Sequence, residues 1–432
     1  MPRMTVSILG SPSMISLRVA GAGLVVGLLA LCPHPAAAQD AMFKRGENVG
    51  VLERPRPGYE ALGIRAGGFI VYPSLTLRAE YDDNLFARPQ AESDTIITTT
   101  PSLEVRSDWG RHAVTLSADA NLKRHDRFKS EDTDTWSIVG QGRLDVSRDT
   151  TLGARASFAD RVEPRTVANS AVESAEPIQY QVQSANLIAT HQLSRVKLVG
   201  RAELARYDYQ DGLDLAGGVI DEDYRDHTEL DVRAKAAYAH SPSTAFFAEL
   251  GAQQMNYERS AGPNRDSDGI TALAGVDLEI TRLITGEFSV GYLHQSFNDP
   301  AYEDISNPHY RMRIDWYPTP LITVGLTATQ RVSDSSLAEA PAFLARTVEV
   351  KADYELLRNL IISGQIHGAD EDYRGIDRRD RRYGASLSAN YLVNRTVGVS
   401  MRYKFETLNS SGASQGRDFD DQSISLALVF QR

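Results

Sequence analysis

Val114-Thr-Leu-Ser-Ala-Asp-Ala-Asn-Leu-Lys123 decides the fold. Apolar Val114, Leu116, Ala118, Ala120 and Leu122 alternate with Thr115, Ser117, Asp119, Asn121 and Lys123. A period of two gathers the apolar side chains on one face of a strand, whereas a helix would scatter them around its axis. The same alternation runs through Ile270, Ala272, Ala274, Val276, Leu278 and Ile280, through Tyr310, Met312, Ile314 and Trp316, and through Val397, Val399, Met401, Tyr403 and Phe405. These segments reach about ten residues or more, long for a globular strand and right for a tilted strand crossing a bilayer.

The connections alternate too. Short ones read Asp108-Trp-Gly-Arg111, Ser147-Arg-Asp-Thr150, Leu193-Ser-Arg195, Ser241-Pro-Ser-Thr244, Thr281-Arg-Leu283, Pro318-Thr-Pro320, Leu357-Arg-Asn359 and Val393-Asn-Arg395. Longer polar stretches lie between them, around 82–94, 124–134, 163–178, 210–225, 258–268, 298–307, 332–345, 374–381 and 409–421. Short turns on one side and long loops on the other are the pattern of an all-β, antiparallel, up-and-down transmembrane barrel. Counted out, the connections require about 18 strands between Phe69 and Arg432, with long loops outside the cell and short turns in the periplasm. A β-helix or propeller would show a tighter sequence repeat, and none is present.

Composition excludes other classes. The chain has 432 residues, 42% hydrophobic and 24% charged, and its formal charge is -11. A helical membrane bundle needs several apolar runs of about 20 residues. Only Val19–Leu31 comes near, and it is too short to span. No general basic footprint for nucleic acid exists. The order of Arg3 and Arg18, that apolar run, then Ala36-Ala-Ala38 reads as a secretory signal peptide over residues 1–38. A short anchor or lipoprotein processing at Cys32 is the alternative, the latter opposed by Leu31 directly before the cysteine. Cleavage after Ala38 removes two arginines and no acid, taking the charge from -11 to -13, and removes the only cysteine. Disulfide, thiol and cysteine–zinc chemistry leave with it.

The residues opposite the apolar stripe are charged. Arg143, Arg155, Arg201, Arg233, Arg311, Arg313, Lys351, Arg402 and Lys404 are bases of this face. Glu203, Asp277, Glu287, Asp315, Glu349 and Asp353 are acids of the same face. Toward lipid, a mid-bilayer Arg or Lys costs roughly 2–4 kcal/mol, so these side chains are expected inside, as the wall of a wet, mixed-sign lumen. Such a wall serves either an aqueous channel or a lumen closed by cross-strand ion pairs such as Glu349, Lys351 and Asp353. Aromatics near strand ends suggest interfacial girdles: Tyr81, Trp136, Tyr209, Tyr257, Phe297, Tyr310 and Phe405 at the outer membrane rim, and Phe246, Trp316 and Tyr391 at the inner, periplasmic rim.

Three further stretches resemble a known family. Val51-Leu-Glu-Arg-Pro-Arg-Pro-Gly-Tyr59, Leu62-Gly-Ile-Arg-Ala-Gly-Gly-Phe-Ile-Val-Tyr-Pro-Ser-Leu75 and Glu80-Tyr-Asp-Asp-Asn-Leu-Phe86 look like the opening of the BBP2-type outer-membrane β-barrel porins of proteobacteria. Ser107–Ala113 and Leu144–Thr150 are also typical of that group, and Phe430 stands third from the end, where such barrels usually finish on the aromatic itself. The resemblance implies a Gram-negative outer-membrane location, a partner in the outer-membrane insertion machinery and contact with lipid and lipopolysaccharide. Some members resembling this one are associated with export of exopolysaccharide or capsule, paired with a periplasmic polysaccharide-export protein. The expected function is therefore a porin-like, water-filled passage for hydrophilic solutes, extending to an exopolysaccharide exit. The alternative is a structural or adhesive barrel with an occluded lumen and binding loops.

No enzyme constellation stands out. The nine histidines are scattered, and no HExxH, GxSxG, phosphate loop or EF-hand occurs. No catalytic residue, metal or cofactor is assigned. Acidic runs at Asp82-Asp83, Glu131-Asp-Thr-Asp134, Asp221-Glu-Asp223 and Asp370-Glu-Asp372 read as solvated loops, with divalent cations as the sharper option. Residues 39–68 precede the alternation, and Arg54, Pro55, Arg56 and Pro57 cannot pair as a central strand. With Tyr59 they are candidates for a lumenal plug or a periplasmic docking segment, with a disordered lead-in as the alternative.

Overall fold

Every alternating segment forms a strand. The computed structural model describes Phe43 and residues 48–167, 174–258, 264–335, 337 and 339–432; the leader expected at 1–38 lies outside them. Eighteen long strands follow in chain order. The first nine are β1 Phe69–Asp82, β2 Asp94–Ser107, β3 Ala113–His125, β4 Thr133–Asp145, β5 Thr150–Val162, β6 Gln179–Leu193, β7 Val196–Tyr209, β8 His227–Ser241 and β9 Thr244–Tyr257. The others are β10 Ser267–Thr281, β11 Ile284–Phe297, β12 Ile305–Thr319, β13 Ile322–Asp334, β14 Ala342–Leu357, β15 Leu360–Tyr373, β16 Arg379–Leu392, β17 Val397–Ser411 and β18 Phe419–Gln431.

Each strand pairs antiparallel with its sequence neighbours, and β18 returns to β1, from Ser74 opposite Gln431 to Asp82 opposite Ser423. Closure leaves no row of unpaired N–H and C=O groups, which hydrocarbon could not solvate. β18 is too short to cover the start of β1. There Ile64–Ala66 turns back on Phe69–Val71 and completes the edge.

The two faces differ as the alternation requires. Leu187, Leu250, Ile270 and Val290 are each more than 60% exposed on the outside, where lipid receives them. Small apolar clusters face inward near the long-loop end: Ile178 with Tyr180 and Tyr209, and Leu293 with Ile305 and Ala342. No helix among the described residues is long and apolar enough to cross a membrane.

The expected girdle needs correction. Tyr81, Trp136, Phe246, Trp316 and Tyr391 are exposed on the outer face. Tyr209, Tyr257 and Phe297 instead turn inward. Tyr209 is 5% exposed and stacks on Tyr180 at 5.0 Å, Tyr257 stacks on His227, and Phe297 packs on the cluster around Leu293. At this end the inner face meets folded loops as well as water, so aromatic rings bury there.

Candidate functional site: the lumen wall and its two ends

Side chains two apart on a strand share a face, and this spacing builds the wall. All the charged positions named above lie on the face opposite the exposed apolar residues. Many pair along their own strand: Arg143 with Asp145 at 3.1 Å, Arg233 with Asp231 at 2.8 Å, Arg313 with Asp315 at 2.8 Å, and Lys404 with Glu406 at 2.7 Å. Arg155 donates to Gln141 at 3.4 Å, and Glu203 accepts from Asn186 at 3.4 Å. Arg201, Asp277 and Arg402 share the same inner face.

The trio on β14 departs from the expected cross-strand lock. Lys351 pairs along the strand with Asp353 at 3.4 Å, and Glu349 accepts from the Gln365 amide at 2.9 Å. The residues opposite Lys351 are Gly325 and Gln365, so no acid faces it across either ladder. Longer reaches occur elsewhere. Lys235 on β8 meets Glu287 on β11, and Arg311 on β12 meets Glu249 on β9, each at 2.8 Å. Small inner residues between them, Gly275 and Ser289, leave room for these chains. A Cβ at Gly275 would overlap the Phe247 ring and the Phe288 carbonyl oxygen.

At the short-turn end the N-terminal segment lies against the inner face. The Asn48 amide donates to the Arg282 carbonyl at 2.6 Å, and the Val51 N–H donates to Thr323 Oγ1 at 2.9 Å. Arg56 pairs with Glu355 at 3.1 Å and donates to the Val51 carbonyl at 2.7 Å, while Arg54 stands 3.8 Å from Glu355. Further round, Arg395 donates to the Pro57 carbonyl at 3.0 Å and the Gln431 amide to that of Tyr59 at 3.5 Å. The segment thus runs from the β10–β11 turn, past β13 and β14, to the β16–β17 turn and β18. Pro55 lies within it, between the two arginines that meet Glu355. Thr323, Glu355 and Arg395 were not marked by any motif, because a single polar residue at a strand end has no local signature.

At the long-loop end, residues 163–167 of the β5–β6 loop reach inward to the opposite side of the barrel. Arg165 makes a two-pronged bond to Glu131, at 2.7 and 3.1 Å, and donates to the Ser174 hydroxyl at 2.6 Å. The Thr166 carbonyl accepts at 2.9 Å from Arg382, which sits on β16, far round the circumference. Arg225 pairs with Glu163 at 2.7 Å and Glu222 at 2.9 Å and lies 4.0 Å above the Tyr209 ring. Burial opposes the Arg225 charge, but Tyr209, Glu163 and Glu222 outweigh it and hold the guanidinium well above its ordinary pKa.

The acidic runs are largely spent on such pairs. Glu131 serves Arg165, Glu222 serves Arg225, Asp134 pairs with Arg124 and Asp370 with Arg346 and Arg379. Among the described residues, carboxylates also gather at Asp82, Asp83 and Asp421 and at Asp211, Asp221 and Asp223, with ligand oxygens within 4.8 Å of one another in each set. By itself, neither cluster defines a ligand.

A closed antiparallel barrel, apolar outside and charged inside, is the architecture of an outer-membrane porin. The chain belongs to the family described as "Putative beta-barrel porin 2", which matches residues 56–432. Porin-like barrels of this family are outer-membrane proteins, which supports an outer-membrane location and points to a transport channel. No curated protein matches it significantly. Among solved structures it is similar to OccK2 (OpdF) of Pseudomonas aeruginosa in complex with glucuronate, at 11% identity, 84% of this chain, 98% of that chain and a TM-score of 0.45. It is also similar to the siderophore receptor PiuA of Acinetobacter baumannii, at 9% identity, 86% and 82% coverage and a TM-score of 0.49. The fold rests on the strand pairing itself and takes nothing from likenesses this distant.

Proposed function

We propose that the barrel forms a water-filled passage for hydrophilic solutes through the outer membrane. The supporting observation is a closed ring of 18 strands whose inner face carries charges of both signs. Side chains alone do not fill a barrel of about 16–18 strands. A wall of both signs favours neutral or zwitterionic solutes, since a strongly polyanionic cargo is better served by an excess of arginine. An exopolysaccharide exit, served by a periplasmic export protein, is the extended form of this reading. It rests on the family resemblance alone.

Two segments narrow the passage in this reading: the N-terminal segment at the short-turn end and residues 163–167 at the other. They also support the second reading, a structural or adhesive barrel with an occluded lumen. Planar-bilayer recording separates the two. The passage reading expects steps of conductance with weak ion selectivity, larger after deletion of residues 40–64. Absence of conductance in both proteins favours the occluded barrel, and strong cation or anion selectivity removes the neutral-cargo assignment.

A further inference from the structure

Arg417 stands in the β17–β18 loop with its guanidinium turned toward the β5–β6 loop. Its Nη2 donates to the carbonyl oxygens of Arg165 and Val167, the latter at 3.1 Å. Its Nε and Nη1 are buried and have no hydrogen-bond partner among the described residues. No carboxylate pairs with Arg417 among the described residues. A buried donor without an acceptor is costly, and a buried charge without a counter-charge more so.

Other guanidiniums meet the same short piece of loop. Arg382 donates to the Thr166 carbonyl at 2.9 Å from the wall of β16. Arg165 and Arg88 lie 5.9 and 5.0 Å from the centroid of one ring, Phe86. Arg165 is neutralised by Glu131, and Arg382 pairs with Glu406. Among the described residues Arg417 has no salt-bridge partner; the one acid that acts on it, Glu163, is already paired with Arg225. Burial, with Arg165, Arg88 and Arg382 adding to it, pushes the Arg417 guanidinium down to about 10. The local field is therefore positive, inside a barrel whose wall is otherwise of mixed sign.

We propose that Arg417, backed by Arg382 and Arg88, forms an anion-binding site at the long-loop end of the lumen, taking a carboxylate or phosphate group of a passing solute. The ligand group fills the open donors at Nε and Nη1 and supplies the missing negative charge, through bonds of the strong, charge-assisted kind. One site of surplus charge above a balanced wall suits a polar, mostly neutral solute with a single anionic group. A polyanion would need a run of such sites. The assignment of a solute as ligand rests on the passage reading; the anion site itself does not.

The test uses the full chain in detergent and in planar bilayers, with inorganic phosphate and acetate as probes. Calorimetric titration is expected to show binding of either anion, weakened about tenfold or more in Arg417→Gln, the loss of a charge-assisted bond. Arg417→Lys is expected to lie between, and Arg148→Gln, exposed in the β4–β5 turn, to bind as the wild type does. In bilayers, phosphate is expected to interrupt the chloride current of the wild type and not of Arg417→Gln. Arg417-dependent binding without any current would uphold the site while refuting the passage reading. Failure of the wild type to bind either anion, or equal binding by wild type and Arg417→Gln, would overturn the proposal.

Discussion

Glu355 is the point on which the N-terminal segment turns, and Glu355→Gln is its sharpest perturbation. The Glu355 side chain is 10% exposed, as is that of Arg56, 3.1 Å away; Arg54 approaches the same oxygen at 3.8 Å. Gln keeps the shape and removes the charge that both arginines face. Loss of one charge-assisted hydrogen bond removes about 1.5–3 kcal/mol. At about 1.4 kcal/mol per factor of ten, the ratio of docked to undocked segment falls by roughly 10- to 150-fold. The remaining bonds at Thr323, Arg395 and Gln431 stay intact, so the segment is expected to dock intermittently. Single-channel recording reads this as transitions between two conductance levels, the upper one matching the deletion of 40–64. The reasoning fails if Glu355→Gln and the deletion both record the same single level as the wild type.

Other perturbations follow from the same contacts. Arg165→Ala leaves the Glu131 carboxylate, 3% exposed, without its partner, a cost of about 3–5 kcal/mol; limited proteolysis should then cut the β5–β6 loop while the strands stay resistant. Gly275→Leu should abolish the folded band in heat-modifiable electrophoresis, because Phe247 and the Phe288 carbonyl occupy the space a Cβ needs; a normal folded band would refute this packing. Asp226 is raised above its ordinary value, first by burial and then by Asp208, Asp223 and Glu258, against the lowering effect of the Tyr209 N–H. A raised carboxyl contributes stability below its unfolded pKa and loses it as pH rises through the folded value. Asp226→Asn should therefore flatten the decline in melting temperature from about pH 4 toward neutrality, and an unchanged slope would contradict the assignment.

The strand alternation and the two classes of connection were legible because both are local. A residue's face follows from parity, and a turn's length is written between two strands. Loops expected at 82–94 and 298–307 lie between Asp82 and Asp94 and between Phe297 and Ile305. The inner position of Tyr209 was also within reach, since it lies an even number of residues from Arg201 and Glu203. Aromatic preference for a rim, however, pointed the other way, and the packed loops at that end decided it. The candidate site was legible only as a wall. Lys235 and Glu287 could be assigned to a face, but their pairing across β9 and β10 depends on barrel curvature and on small residues between them.

By itself, then, the sequence determined a closed antiparallel barrel, the number of its strands and the sign of its two faces. These follow from steric alternation and from the cost of charge in hydrocarbon, which act within each hairpin. Only the tertiary structure decided what crosses the ends. Arg382 and Thr166 meet across 216 positions of sequence, and Arg56 and Glu355 across 299. No local pattern encodes such contacts, because it is the curvature and closure of the eighteen-stranded barrel that bring the partners together.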